Sequence, residues 1–224
     1  KMGHIISCSD IHKSYGDLTV LKGINLQIKA GEVVAIVGPS GAGKTTLLHI
    51  LSTLDRADSN EKSQLQIEGV SVGEMGAVEM AQFRNQRLGF IFQFHELLPE
   101  FTALENVCMP GWIANDQNKG INKKAAQLLT QLGLEDRMGH KPQQLSGGEQ
   151  QRVAVARSLI NDPKVIFADE PSGTLDSQNA DALHESFFEL RDKTGCTFVI
   201  VTHNDRLADM ADRKIILKDG HIVL

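Results

Sequence analysis

Apolar and polar positions along the chain follow two rhythms. Residues 33–37 read VVAIV, apolar at every position, as a strand buried on both faces of a sheet must be. HIISCSDIHKSY (4–15) and GINLQI (23–28) also read as strands, with KAGE (29–32) as the turn into VVAIV. A helix is expected from about TTLLHIL (45–51). Further strands are expected at QLQIEG (64–69), LGFIFQ (88–93), VIFAD (165–169), TFVIVTH (197–203) and KIILKDG (214–220). From about 94 to 160 the strand rhythm is missing, and TALENV, KKAAQLLTQLGL and GEQQRVAVARSLI carry helical patterns instead. Strands alternating with helices predict an α/β fold on a parallel sheet. The middle predicts an inserted helical lobe, 94–160, within one domain (1–224) whose core lobe is 1–93 and 161–224. Internal repeats and low-complexity segments are lacking.

Composition changes this picture little. A chain of 224 residues easily supports a core. Its net charge of -5 argues against nucleic acid as a partner, since phosphate backbones demand basic faces. The basic run NKGINKK (118–124) reads as a solvated helix end. The three cysteines, Cys8, Cys108 and Cys196, are far apart and suit a reducing compartment as small apolar fillers. The eight histidines show no metal-ligand spacing. No apolar run approaches the ~18–20 residues needed to span a bilayer, and there is no signal-peptide pattern. The chain is expected to be soluble unless a partner holds it at a membrane.

Candidate chemistry sits at the ends of the apolar strands. GPSGAGKT (38–45) fits G-x-x-x-x-G-K-[ST] at every fixed position, with a strand before and a helix after. Gly38, Gly41 and Gly43 let the backbone wrap phosphate oxygens, Lys44 neutralises them, and the Thr45 hydroxyl can ligate Mg2+. Pro39, Ser40, Ala42 and Thr46 complete the loop. VIFADEP (165–171) ends a buried strand in two carboxylates, where parallel sheets bind ligands. Beside a phosphate loop, Asp169 reads as the residue orienting Mg2+ and Glu170 as the activator of water. His203 and Gln93 also end apolar runs. Each is either a site residue or a polar strand end. Tyr15, the only tyrosine, could stack on a base. LSGGEQ (145–150) poses the remaining question, because a serine and two glycines ahead of a helix look like a second phosphate loop.

Together these residues resemble the ATP-binding subunit of an ABC transporter. The chain order is Tyr15 in KSYG, the P-loop, Gln93, LSGGEQ, VIFADEP, LDS (175–177) and His203, and it covers essentially the whole chain. LSGGEQ separates this family from other P-loop NTPases. The resemblance implies the P-loop ABC ATPase fold, with an antiparallel β subdomain beside the parallel-sheet core. It also implies that Tyr15 stacks on adenine, Gln93 contacts Mg2+, Glu170 is the general base and His203 holds the γ-phosphate and the attacking water. Two copies would pack head to tail, so that Ser146, Gly147, Gly148 and Glu149 reach the partner's ATP and Asp176 lies at the junction. Implied partners are a second copy and transmembrane subunits, at the cytoplasmic face of the inner membrane.

Within the family, LGFIFQFHELLPEFTALENVCMP (88–110), RNQRLGF (84–90) and ADEPSGTLDSQNAD (168–181) are most similar to the group serving lipoprotein-releasing transporters. Macrolide-export and cell-division ATPases share much of this pattern. A soluble ABC ATPase of DNA repair or translation would be expected to carry a long coiled-coil insertion between the P-loop and LSGGEQ or a second ATPase cassette, and the sequence reads as neither. The sequence departs from the family pattern at Asn204, usually Asp, at Ser172, usually Thr, and at 57–66, ADSNEKSQLQ, which reads as a mobile surface loop.

Overall fold

In the computed structural model, residues 3–58, 62–114 and 120–223 are described. They pack as two compact units, Lys1–Ala81 with Leu190–Leu224, and Gln82–Glu189.

In the first unit, β1 (His4–Tyr15) and β2 (Leu18–Lys29) form an antiparallel hairpin. Burial alternates along β2, with Leu21, Ile24, Leu26 and Ile28 inward, so one face of this ribbon is core and the other is wet. β3 (Val33–Val37) enters the core directly after and leads through the phosphate loop into α1 (Lys44–Leu51). The short strands β4 (Gln64–Ile67) and β5 (Val70–Ser71) extend the hairpin into a four-stranded antiparallel sheet of order β2-β1-β4-β5. α2 (Ala77–Arg87) then carries the chain into the second unit.

The second unit opens with β6 (Leu88–Ile91), followed by α3 (Ala103–Ile113), α4 (Ile121–Gln131) and α5 (Gly147–Leu159). β7 (Val165–Asp169) returns parallel to β6 in the register Leu88 to Val165 through Ile91 to Ala168. The helices share a core of Ala103, Val107, Ala125, Leu129, Val153 and Ala156, each fully buried. Glycines permit the close approaches. A Cβ at Gly89 would lie 2.7 Å from the Ser158 carbonyl oxygen of α5, and one at Gly111 would lie 2.4 Å from Ile121. α6 (Ser177–Thr194) begins in this unit, and its last residues, from Leu190, belong to the first.

There β8 (Thr197–Val201) pairs parallel with β3, and after α7 (Asp205–Met210) so does β9 (Arg213–Lys218). β10 (His221–Val223) closes antiparallel on β9. β3, between two parallel neighbours, is the one read as apolar throughout, and Val33 to Ile36 are fully buried.

Described residues between 94 and 160 carry α3, α4 and α5 with short 3-10 turns at Glu135–Arg137 and Pro142–Gln144, and no strand. Strand ends differ from expectation by a few residues. β6 stops at Ile91 and β8 at Val201, so Gln93 and His203 stand in the turns beyond their strands. β2 starts at Leu18 instead of residue 23 because the hairpin turns at Gly16, whose φ of 59° suits glycine. α2, α6, α7, β5 and β10 lie outside the expected elements. Of the expected loop 57–66, residues 64–66 belong to β4, and 59–61 lie outside the described residues. Of the basic run 118–124, residues 118–119 lie outside them, and Lys124 bonds Asp162 at 2.5 Å. Cys8, Cys108 and Cys196 are buried free thiols.

Candidate functional site

The phosphate loop is built by three left-handed glycines. Gly38, Gly41 and Gly43 have φ of 149°, 77° and 97°, a region that L side chains avoid. Gly38 has a second constraint, since a Cβ there would lie 2.0 Å from the Leu217 carbonyl oxygen. The loop is thus pressed against the backbone of β9 and bends over it. Lys44 Nζ donates to the Gly38 oxygen at 2.9 Å and the Pro39 oxygen at 3.0 Å, which holds its charge inside the loop. Gly43 caps α1 without a side-chain hydrogen bond, so the helix presents its first N–H groups and positive dipole end to the loop. Positive charge, helix end and a wall that excludes any Cβ fit a polyphosphate. Thr45 is exposed at this helix end, with Thr46 behind it.

Tyr15 is held by an anchor that the sequence reading missed. Its hydroxyl donates to Asp55 Oδ2 at 2.7 Å, Lys13 Nζ bonds Asp55 Oδ1 at 2.8 Å, and the same ammonium lies 5.0 Å from the ring centroid. Burial works against the Asp55 charge. The bonds from Lys13 and Tyr15 outweigh it and hold the carboxyl below its ordinary value. The Asp55 hydrogen bond raises the Tyr15 phenol, and the Thr46 hydroxyl acts in the opposite sense, which ties this tyrosine to the start of α1. The ring is half exposed at 51%, a fixed aromatic surface.

His203 is exposed in the turn after β8, and Thr202 N–H bonds the Ile36 oxygen at 3.2 Å. Since β8 and β3 are parallel neighbours, His203 leaves the sheet at the same edge as the phosphate loop. Asn204 caps α7 by accepting from Leu207 N–H at 3.0 Å, a task that Asn performs as well as Asp.

In the second unit, Gln93 and Asp169–Glu170 follow the parallel neighbours β6 and β7 and leave at one edge. Glu170 has φ of 45°, left-handed backbone rarely seen outside glycine and enriched at functional sites. Gly173 N–H bonds the Glu170 oxygen at 3.0 Å, closing the turn. A Cβ at Gly173 would lie 2.9 Å from Gln93 Nε2, so the two segments interlock.

LSGGEQ departs from the expected phosphate loop. Gly147 and Gly148 do not precede the helix; they are the first turn of α5, and neither has positive φ. Ser146 is the N-cap. Its Oγ accepts from Glu149 N–H at 3.3 Å, and Glu149 Oε2 accepts from Ser146 N–H at 2.7 Å. Arg137 Nε donates to Glu149 Oε1 at 2.9 Å. The Ser146 N–H, helped by Arg137 and partly opposed by burial, lowers the Glu149 carboxyl from 4.5 to about 2. Glu149 is therefore anionic and fully committed to fixing the loop. Ser146 and Gly147 are exposed at the helix end.

The LDS segment sits beside this end. Asp176 Oδ1 accepts from Asn179 N–H at 3.0 Å and Oδ2 from Asn179 Nδ2 at 2.6 Å, bonds that depress the Asp176 carboxyl. Asn179 Oδ1 would lie 3.0 Å from a Cβ at Gly148, and Leu175 packs near Gly147. Asn179, three residues after Asp176 in a cap-like spacing, was legible in principle. Asp55, separated from Tyr15 by 40 residues, was not. A groove of about 650 Å³ bordered by Cys8, Leu26, Arg213 and Ile222 contains no motif residue.

The first unit holds a glycine-rich loop around Lys44 and the second a buried strand that ends in two acids, features of a P-loop ATPase. A family model described as ABC transporter matches residues 21–173, and the chain belongs to that family. Among curated relatives, the lipoprotein-releasing system ATP-binding protein LolD of Cytophaga hutchinsonii is 55% identical over 222 residues, covering 99% of this chain and 100% of the relative. Its counterpart in Bacteroides thetaiotaomicron is 56% identical over 218 residues, covering 97% and 99%. Among solved structures, a bacterial ABC transporter cassette determined as a dimer superposes with a TM-score of 0.89 at 38% identity, covering 98% of this chain and 97% of that one. A dimeric post-hydrolysis cassette bound to ADP and phosphate gives 0.88 at 37% identity, with coverage of 98% and 97%. The expected α/β ABC ATPase fold is therefore correct, and the chain is an ATPase of this class.

Proposed function

We propose that this chain is the ATP-hydrolysing motor of a membrane transporter that releases lipoproteins from the inner membrane, working at its cytoplasmic face as a head-to-tail pair. The observation that carries the ATPase half is the loop 38–45, with three left-handed glycines around Lys44 and an uncapped helix end. Full-length similarity to proteins named for lipoprotein release supports the substrate assignment.

Tyr15 offers its anchored ring to adenine. Gly38 to Thr46 hold the phosphates. The Thr45 hydroxyl, Gln93 amide and Asp169 carboxylate are oxygen donors of the kind Mg2+ takes, with water completing its shell. Bound Mg2+ would neutralise charge on the phosphate oxygens. Glu170 takes a proton from water, whose oxygen attacks the γ-phosphorus as the bond to the β-γ bridging oxygen breaks, giving ADP and phosphate. His203 hydrogen-bonds the transferring group. Ser146, Gly147 and Gly148 approach the ATP of the second copy, Glu149 keeps that loop rigid, and Asp176 lines the junction. Residues 94–160 act as the helical lobe, and 1–93 with 161–224 as the ATP-binding core.

The surface after Gln93 is the contact proposed for the membrane subunit. Arg157 bonds the carbonyls of His95 and Glu96, and the buried Asn106 amide bonds Leu98 and the Phe101 carbonyl, which fixes this stretch from below. Phe94 remains 70% exposed and Leu98 40%, apolar surface suited to a partner. Glu170→Gln should lower ATP turnover ~10²–10⁴-fold, the scale of general-base catalysis, while ATP still binds. Purification from native membranes, with identification of the membrane subunits and assay of lipoprotein release after depletion, tests the transport assignment. Continued release without the chain would refute it.

A further inference from the structure

We infer that His184 and Ser172 form a buried positioning device for Glu170. His184 on α6 is fully buried, and Ser172 is 8% exposed. His184 Nε2 and Ser172 Oγ lie 2.9 Å apart, a hydrogen bond inside the second unit. Ser172 stands two residues after Glu170, inside the turn closed by the bond from Gly173 N–H to the Glu170 oxygen at 3.0 Å. Leu175 N–H bonds the Ser172 oxygen at 3.1 Å, so Ser172 is held by backbone and side chain together.

The physical need for such a device comes from the backbone. A non-glycine residue at φ 45° is strained and persists only where its surroundings over-determine it. On one side of this turn, Gly173 is wedged against Gln93 Nε2. On the other, the His184 bond ties Ser172 to a helix whose Leu183 and Phe187 are in the core. A buried imidazole without a polar partner would be destabilising, so the pair serves stability as well as aim. The hydroxyl of Ser172 does not face solvent, which makes it an internal strut. Neither residue is placed against ATP; both act through Glu170.

This inference rests on Glu170 being the general base, and the experiment separates the two. Full-length chain carrying Ser172→Ala, His184→Phe, both together, or His184→Gln is assayed for ATP turnover beside Glu170→Gln, with melting temperature recorded for each. Ser172→Ala and His184→Phe should each lower kcat about tenfold with KM for ATP nearly unchanged, as loss of alignment does. The double variant should be no worse than either single, and His184→Gln, whose amide can replace the Nε2 bond, should recover most of the turnover. A folded Ser172→Ala with wild-type kcat, or multiplicative losses in the double variant, would overturn the device. Wild-type turnover in Glu170→Gln would instead overturn the general-base reading beneath it.

Discussion

The two glycine loops of this protein share composition and differ in construction. In GPSGAGKT the glycines are conformational: Gly38, Gly41 and Gly43 occupy left-handed backbone, and α1 starts without a side-chain cap. In LSGGEQ the glycines are helical, and α5 starts behind a complete capping box of Ser146 and Glu149. In the proposed function the first loop wraps the phosphates of ATP. The second would present its capped helix end to the ATP of another copy. A wrapped ligand needs a flexible residue type, whereas a docking ligand needs a small one. The likeness in sequence therefore conceals two different constructions.

Substitution of one glycine in each loop separates the mechanisms most strongly. Gly38→Ala forces a Cβ into the Leu217 carbonyl oxygen, at 2.0 Å, where backbone on both sides must move. It should cost about 1–3 kcal/mol of stability, the scale of overpacking, and abolish ATP binding. Gly148→Ala meets the Asn179 side chain, Oδ1 at 3.0 Å and Cγ at 3.1 Å, with no backbone within that range, and gains helix propensity. Its stability should change by less than about 1 kcal/mol. Chemical denaturation and ATP binding measured on both variants check this contrast; equal damage would erase it.

A smaller effect sharpens the second loop. Glu149 has its carboxyl lowered to about 2, chiefly by the Ser146 N–H, so its cap is present above the ordinary value of 4.5. That contribution is lost as pH falls from 4.5 towards about 2. Glu149→Gln keeps the shape of the cap and removes the charge. It should destabilise the chain by a few tenths to about 1 kcal/mol at neutral pH, with the difference shrinking below pH 4.5. Thermal unfolding of both proteins from pH 6 to 3 measures the convergence. A difference independent of pH would show that the carboxylate charge is not what holds the cap.

How far this could be read from sequence differs between the same two regions. The phosphate loop was legible because its determinants are local: glycine spacing, Lys44, a buried strand before and a helix after. VIFADEP was legible for the same reason, as an apolar run ending in acids. LSGGEQ was legible as a helix start, but its glycines were placed ahead of the helix, since Ser146 capping draws the helix start back to Gly147. Partners distant in sequence left no local trace. Asp55 under Tyr15 and His184 behind Ser172 are ordinary polar residues until the fold brings them to 2.7 Å and 2.9 Å. α6 could have been found from its buried Leu183, Phe187 and Leu190, which recur at helical spacing.

In the proposed head-to-tail pair the LSGGEQ loop completes the ATP site of another copy. Mixing two inactive variants tests it directly, with Lys44→Ala breaking the phosphate loop and Ser146→Arg blocking the exposed helix end. If the loops act across a pair, the mixture forms heterodimers with one intact composite site, and turnover should rise to as much as about a quarter of wild type. Mixed protein that stays as inactive as either variant alone, while still pairing, would show that the two loops do not act across the pair.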